Sequence, residues 1–184
     1  SDEPALVTFM DSSIRRHIRQ KIEDQIINGA GGASAPTGIL STSGVQAQAF
    51  DTDVITTIAR ALEKAANVDA DVQAIVVNPS VAWSLRLLKD AEGRYLSGGP
   101  FAAGLVQTLW GVPIVESKRL TNKQALVGDF RTVNLLEREA LSVLMFNQHK
   151  DYAQLNKVYV RAEWRGMQPI YDPRQLVLAA ITAA

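Results

Sequence analysis

The chain has 184 residues, 47% of them apolar, with nineteen basic and nineteen acidic residues that cancel and no cysteine. That length supports one generous core or two small ones sharing a seam, and that apolar share excludes a disordered chain. The lack of cysteine excludes disulfides, thiol nucleophiles and thiolate metal sites, and a neutral chain does not condense nucleic acid by bulk charge.

Residues 1–11 read as a lead-in, with Phe9 and Met10 placed to cover the first helix. The acidic start is unlike a signal peptide, and no apolar run is long enough to span a membrane. Asp11, Ser12 or Ser13 is the expected cap of a helix over about residues 12–28. Ile14, Ile18, Ile22 and Ile26 fall four apart and stay on one face, while Arg15, Arg16, Arg19, Lys21, Glu23 and Asp24 take the other sides. Gly29 is the expected C′ residue. Residues 30–44, AGGASAPTGILSTSG, lack the Gly-Lys-Ser/Thr ending of a phosphate-binding loop and read as a connector. Asp51 or Thr52 is expected to cap a second helix to about Ala66, with Val54, Ile55, Ile58, Leu62 and Ala65 as its apolar stripe.

Residues 74–77 are a continuous apolar run with β-branched members, the mark of a buried strand. Asn78 offers an N-cap oxygen and Pro79 a φ already suited to a first helical turn. Val81, Leu85 and Leu88, widened by Trp83 and Leu87, extend that helix to about Lys89. Asp90 to Gly93 turns the chain, Gly98-Gly99-Pro100 breaks it before a helical turn, and a strand starts at Gly111 with Pro113 keeping its beginning at an edge or bulge. Strands follow over residues 125–130 and 141–146, then a helical turn at 151–156. The clearest alternation comes next: Val158, Val160, Ala162 and Trp164 point one way and Lys157, Tyr159, Arg161, Glu163 and Arg165 the other. Gly166 is expected to bend that strand away, Asp172-Pro173 to turn the chain, and residues 176–181 to form the last strand. The two ends thus read as one unit, with a compact α/β insertion between them.

No catalytic set stands out. His17 and His149 are isolated, without a nucleophile elbow or further metal ligands. Asp69, Asp71, Asp90 and Glu92 cluster where turns favour Asp and Gly for backbone reasons. A small hydrolase or transferase using those acids is the rival from a different class. Lys118-Arg119, with Lys123 nearby, is a short basic loop without the interleaved aromatics of a nucleic-acid surface.

The run NPSVAWSLRLLKDAEGRYLSGGP at residues 78–100, followed by LWGVPIVES at 109–117, resembles the axial domain of tailed-bacteriophage major capsid proteins of the Hong Kong 97 type. GILSTSG at 38–44, ALVGDF at 125–130 and VYVRAEWRGMQPIYDPRQLVLAAI at 158–181 follow in that family's order. The resemblance implies an α+β, Hong Kong 97-like capsid fold. Its peripheral domain, a spine helix plus long strands, would comprise residues 1–47 and 139–184, with an inserted α/β axial domain at 48–138. It implies a structural protein, not an enzyme, that self-assembles as pentamers and hexamers into an icosahedral head shell. Such a subunit uses no cofactor, encloses DNA without specific binding, touches no membrane, and meets other head proteins. It is assembled in the host cytoplasm and resides in the virion. The N-terminal arm and extended loop of the family are missing from this sequence. The nearest alternative is an encapsulin-like compartment shell.

Some family members weld their subunits by a lysine–asparagine isopeptide bond, assisted by a glutamate seven residues after the asparagine. Asn156 and Glu163 match those two positions, while the lysine would come from the missing loop. The expected subunit contacts are Arg15, Arg16 and Arg19 on the helix, Arg161, Glu163 and Arg165 on the alternating strand, and Lys118 and Arg119 in a loop near the capsomer axis.

Overall fold

A computed structural model describes residues 3–32, 35–97, 108–146, 154–155 and 157–183, with the backbone alone for 3–7. The first helix, α1 (Glu3–Asn28), begins nine residues earlier than expected. Pro4 is tolerated in a first turn and nothing between it and Asp11 breaks a helix. The expected caps therefore lie inside: Ser12 Oγ donates to Phe9 O at 2.9 Å, and Asp11 pairs with Arg15 at 2.8 Å across one turn. Ile14, Ile18, Ile22 and Ile26 are only half-buried, and Phe9 lies exposed.

The helix ends on Gly29, whose amide donates to Gln25 O at 2.9 Å. Its φ is not left-handed; its bareness serves close packing instead. A Cβ on Gly29 would lie 2.3 Å from Pro36 O, and one on Gly38 would lie 2.3 Å from Gly29 N. The connector then folds back through an Ala30–Thr37 bridge to β1 (Gln46–Gln48).

Helix α2 (Val54–Ala66) is capped by Asp53 rather than Asp51 or Thr52. Thr52 sits at φ 52°, so Asp53 reaches the first turn and accepts from Thr56 N at 2.7 Å. Next come β2 (Ala74–Val77) and α3 (Pro79–Arg86), with Asn78 capping as expected by accepting from Ser80 N at 3.0 Å. Helix α3 stops short of Lys89 because Leu88 O turns to accept from Leu96 N, folding residues 88–96 into a small hairpin. Val81 and Leu85 are buried, but Trp83 and Leu87 are exposed, so the apolar stripe is narrower than expected.

β3 (Thr108–Leu109) and β4 (Val112–Glu116) are joined by Trp110 and Gly111, both at positive φ, the geometry of a tight hairpin turn. Pro113 faces only Thr108 of the two-residue edge strand, and pairing with β2 begins at Ile114. β5 (Gln124–Gly128) gives way to a 3-10 turn at Phe130, two residues before its expected end. β6 (Leu136–Phe146) and β7 (Tyr159–Met167) form a long antiparallel ribbon. β7 does not bend away at Gly166, which pairs with Glu137; a Cβ there would lie 2.3 Å from the Trp164 ring. The last strand is β8 (Leu176–Ala180).

The main sheet runs β1-β8-β5-β2-β4-β3. Because strand side chains alternate, Ile75, Val77, Ala125, Val127, Val177 and Ala179 meet α2 and α3 on one face. Leu126 and Leu176, with Ile39 and Leu120, form a smaller cluster on the other, against Ile26 and Ile27 of α1. Each fully buried Ile, Leu or Val contributes about 1.5–3 kcal/mol, so the helix-covered face dominates stability. Grouping residues 139–184 with the peripheral part places the last strand apart from this sheet, whereas β8 is an interior strand of it, hydrogen-bonded between β1 and β5. Its residues are apolar on both faces, as an interior strand requires.

Candidate assembly interface

The turn after β4 is fixed by three hydrogen bonds. Ser117 N donates to Val77 O at 2.8 Å, Arg119 N to Ser117 Oγ at 3.2 Å, and Asn28 Nδ2, at the end of α1, to Arg119 O at 2.9 Å. The last bond ties this loop to the helix, so Lys118 and Arg119 come to rest across from Arg15, Arg16 and Arg19. The five cations line one open groove of about 650 Å³, together with Glu23 and Glu116. Two groups expected to make separate contacts therefore share a surface. Arg15 is already engaged, by Asp11 and by donation to Leu141 O at 3.3 Å, and Glu116 is held by Arg86 at 2.6 Å.

A second groove, of about 530 Å³, separates α1 from the ribbon; its wall includes Ile22, Ile26, Leu135, Leu141 and Trp164. Trp164 Nε1 donates to Glu137 Oε1 at 2.9 Å, and Gln168 Nε2 to Ile26 O at 3.2 Å. The third expected group stays on the ribbon, outside both grooves. Arg161 pairs with Glu163 at 3.3 Å, and Arg165 with Glu139 at 3.3 Å. Glu163 stands opposite Ser142. Asn156 and His149 lie outside the described residues, as does the stretch expected as a helical turn after Pro100.

Three of the four turn acids are occupied by structural bonds. Asp90 accepts from Glu92 N and Arg94 N, each at 2.9 Å, and from Arg94 Nε; the Arg94 amide and guanidinium hold it below the usual carboxylate range. Glu92 contacts the same guanidinium, and Asp71 pairs with Arg131 at 2.8 Å. Among the described residues no three His, Cys, Asp or Glu gather as a metal site. What sequence reasoning missed is the apolar exposure of the ribbon, where Leu136, Leu144, Met145, Met167 and nearby Tyr171 face solvent. The alternation of β7 held the signal: a long strand with one partner cannot cover both faces.

The model of the phage capsid family matches residues 1–179. The chain belongs to this family. Its curated relative, the major capsid protein of Enterobacteria phage HK97, is 27% identical over 184 residues, covering 96% of the chain but 46% of the relative. The capsid of an empty GTA particle computed with C5 symmetry superposes with a TM-score of 0.77 at 20% identity, over 96% of this chain and 66% of that one. A Gordonia phage Cozz structure gives 0.76 at 15% identity, over 100% and 66%. The virus-like particle from Pyrococcus furiosus gives 0.60 at 14% identity, over 86% and 62%. The phage-capsid chain thus has the α+β, Hong Kong 97-like fold and spans about half the length of the curated relative it matches.

Proposed function

We propose that the chain is part of the folded subunit of a tailed-phage or prophage major capsid protein, whose work is assembly rather than turnover. Membership of the phage capsid family over residues 1–179 carries this reading. The exposed ribbon agrees with it. A two-stranded ribbon is marginal by itself in water, and the large apolar side chains on this one gain most when another copy covers them. In this reading the six-stranded sheet with α2 and α3, β8 included, is the axial domain, and α1 with the β6–β7 ribbon is the peripheral one. Copies associate with one another as subunits of a capsid, and closed symmetry lets modest contacts sum to a strong shell. The shell is the virion head, put together in the host cytoplasm. Arg15, Arg161 and Arg165 supply charged contacts between copies, and Glu163, paired with Arg161, acts as a contact residue rather than as the acid of a cross-link. The compartment-shell alternative shares the fold, so family membership rather than structural likeness favours the phage reading. Expression of the complete reading frame and negative-stain electron microscopy test the proposal. Uniform closed shells are expected; folded, monodisperse monomers of the intact protein would sink it.

A further inference from the structure

Most arginines of this neutral chain are spoken for. Arg60, Arg86, Arg94, Arg131, Arg161, Arg165 and Arg174 each hold a carboxylate within 4.0 Å. Arg16, Arg19, Lys118 and Arg119 have no ion pair among the described residues, and the fold gathers all four along the groove between α1 and the loop after β4. Of the groove's two carboxylates, Glu116 is neutralised by Arg86, which leaves Glu23 alone against them. An excess of positive charge held in one concave surface attracts a polyanion, whatever the balance of the whole chain.

Part of what a second copy could offer that groove is already taken. Asp71, Asp90, Asp129, Glu139, Glu163 and Asp172 are already bound to arginines of their own chain. Three of the four cations are guanidiniums, whose fork matches phosphate oxygens. Arg16 and Arg19 lie about 4.5 Å apart along the helix axis, a row of donors facing the loop's pair, and the hydroxyls of Ser12 and Ser117 line the same groove. Among the described residues no aromatic ring borders it, so none of them stacks unpaired bases, as a single-strand site requires.

We propose that this groove is a phosphate-backbone site for double-stranded DNA, a sequence-independent hold on the polymer that the shell encloses. Only the identity of the polymer rests on the shell reading; the binding chemistry does not. The test titrates the 184-residue chain into a short fluorescein-labelled duplex of mixed sequence, following anisotropy between about 50 and 200 mM salt. Four phosphate contacts predict a slope of log affinity on log salt of about −3.6. R16Q/R19Q and K118Q/R119Q are each expected to bring the slope to about −1.8 and to weaken binding roughly tenfold or more. R60Q/R174Q, away from the groove, should leave the slope where it is. If either groove pair unfolds by circular dichroism, the single changes R16Q and K118Q, at exposed positions, should each flatten it by about 0.9.

Absent binding at the lowest salt overturns the proposal, and so does a slope that neither pair moves. Displacement of the duplex by polyglutamate more readily than by unlabelled duplex overturns it in favour of a protein partner. The same substitutions in the complete protein separate this idea from the shell. Shells that form while the slope stays fixed reject the groove alone; a slope that responds without any shells rejects the shell reading alone.

Discussion

Asp129 sits just after β5, buried, and accepts from Arg131 N at 2.9 Å and from the Arg131 guanidinium at 2.6–3.1 Å, while that guanidinium also reaches Asp71. The hydrogen bond from the Arg131 side chain, above all, holds the Asp129 carboxyl below its usual range. A carboxylate whose folded value is depressed adds stability that is complete above its unfolded value, about 3.9, and is lost as pH falls through the folded one. Asp53, Asp90 and Asp172 shift the same way, each held chiefly by a hydrogen bond from a neighbour. Acid unfolding is therefore expected below about pH 4, where these four lose their charge. Asp129→Asn should lower stability by about 1–3 kcal/mol at neutral pH, by urea denaturation, and flatten the acid limb of the stability profile; a variant with the parent's limb would assign that limb to other groups. Gly38 is a second sensitive point. A Cβ there meets backbone atoms of Gly29 and Ile27 at 2.3–2.7 Å, which no rotamer change relieves. Gly38→Ala should cost on the order of 3 kcal/mol, read as a lowered melting temperature, whereas Gly93→Ala, with open space around it, should cost only the strain of its φ.

The two long helices differ in what covers them. Helix α2 buries Thr57, Ile58, Ala61 and Ala65 against the sheet, while the isoleucines of α1 stay half-exposed. Ile58→Ala is expected to cost about 2–5 kcal/mol in the isolated chain. Ile18→Ala should cost about 1 kcal/mol there and show its larger effect in the yield of shells from the complete protein. Equal losses in the isolated chain would mean that α1 needs no neighbour. The elements that sequence made legible are those decided within a few residues: Ala74–Val77 with its Asn78-Pro79 cap, the stripe of α2, the alternation of β7. Ends were harder. The cap of α2 passed from Asp51 to Asp53 because Thr52 takes a left-handed turn, and α3 ended early because Leu88 found Leu96. The groove was out of reach for a different reason. Its two sides meet through Asn28 and Arg119, 91 residues apart, and local patterns carry no record of such a bond.

At the scale of the whole molecule, stability is uneven. The main sheet has helices packed on one face and a second core cluster on the other, whereas the β6–β7 ribbon pairs only with itself and leans on α1. Hydrogen exchange should find the amides of β5 and β8 slowest and those of β6 and β7 markedly faster in the isolated chain, with the ribbon slowing once the complete protein has assembled. Ribbon amides as slow as those of β5 before assembly would contradict this. The interior position of β8 also sets a timetable for synthesis. Gln46 pairs with Val177, and one side of β5 stays open until residues 176–180 leave the ribosome, some 50 residues after Gly128. At roughly 5–20 residues per second, that edge waits a few seconds or longer with its hydrogen-bonding groups unmet. A nascent chain thus cannot finish its sheet while that strand is still being made. That delay leaves the half-made chain with an open strand edge, a template for mispairing with another nascent chain.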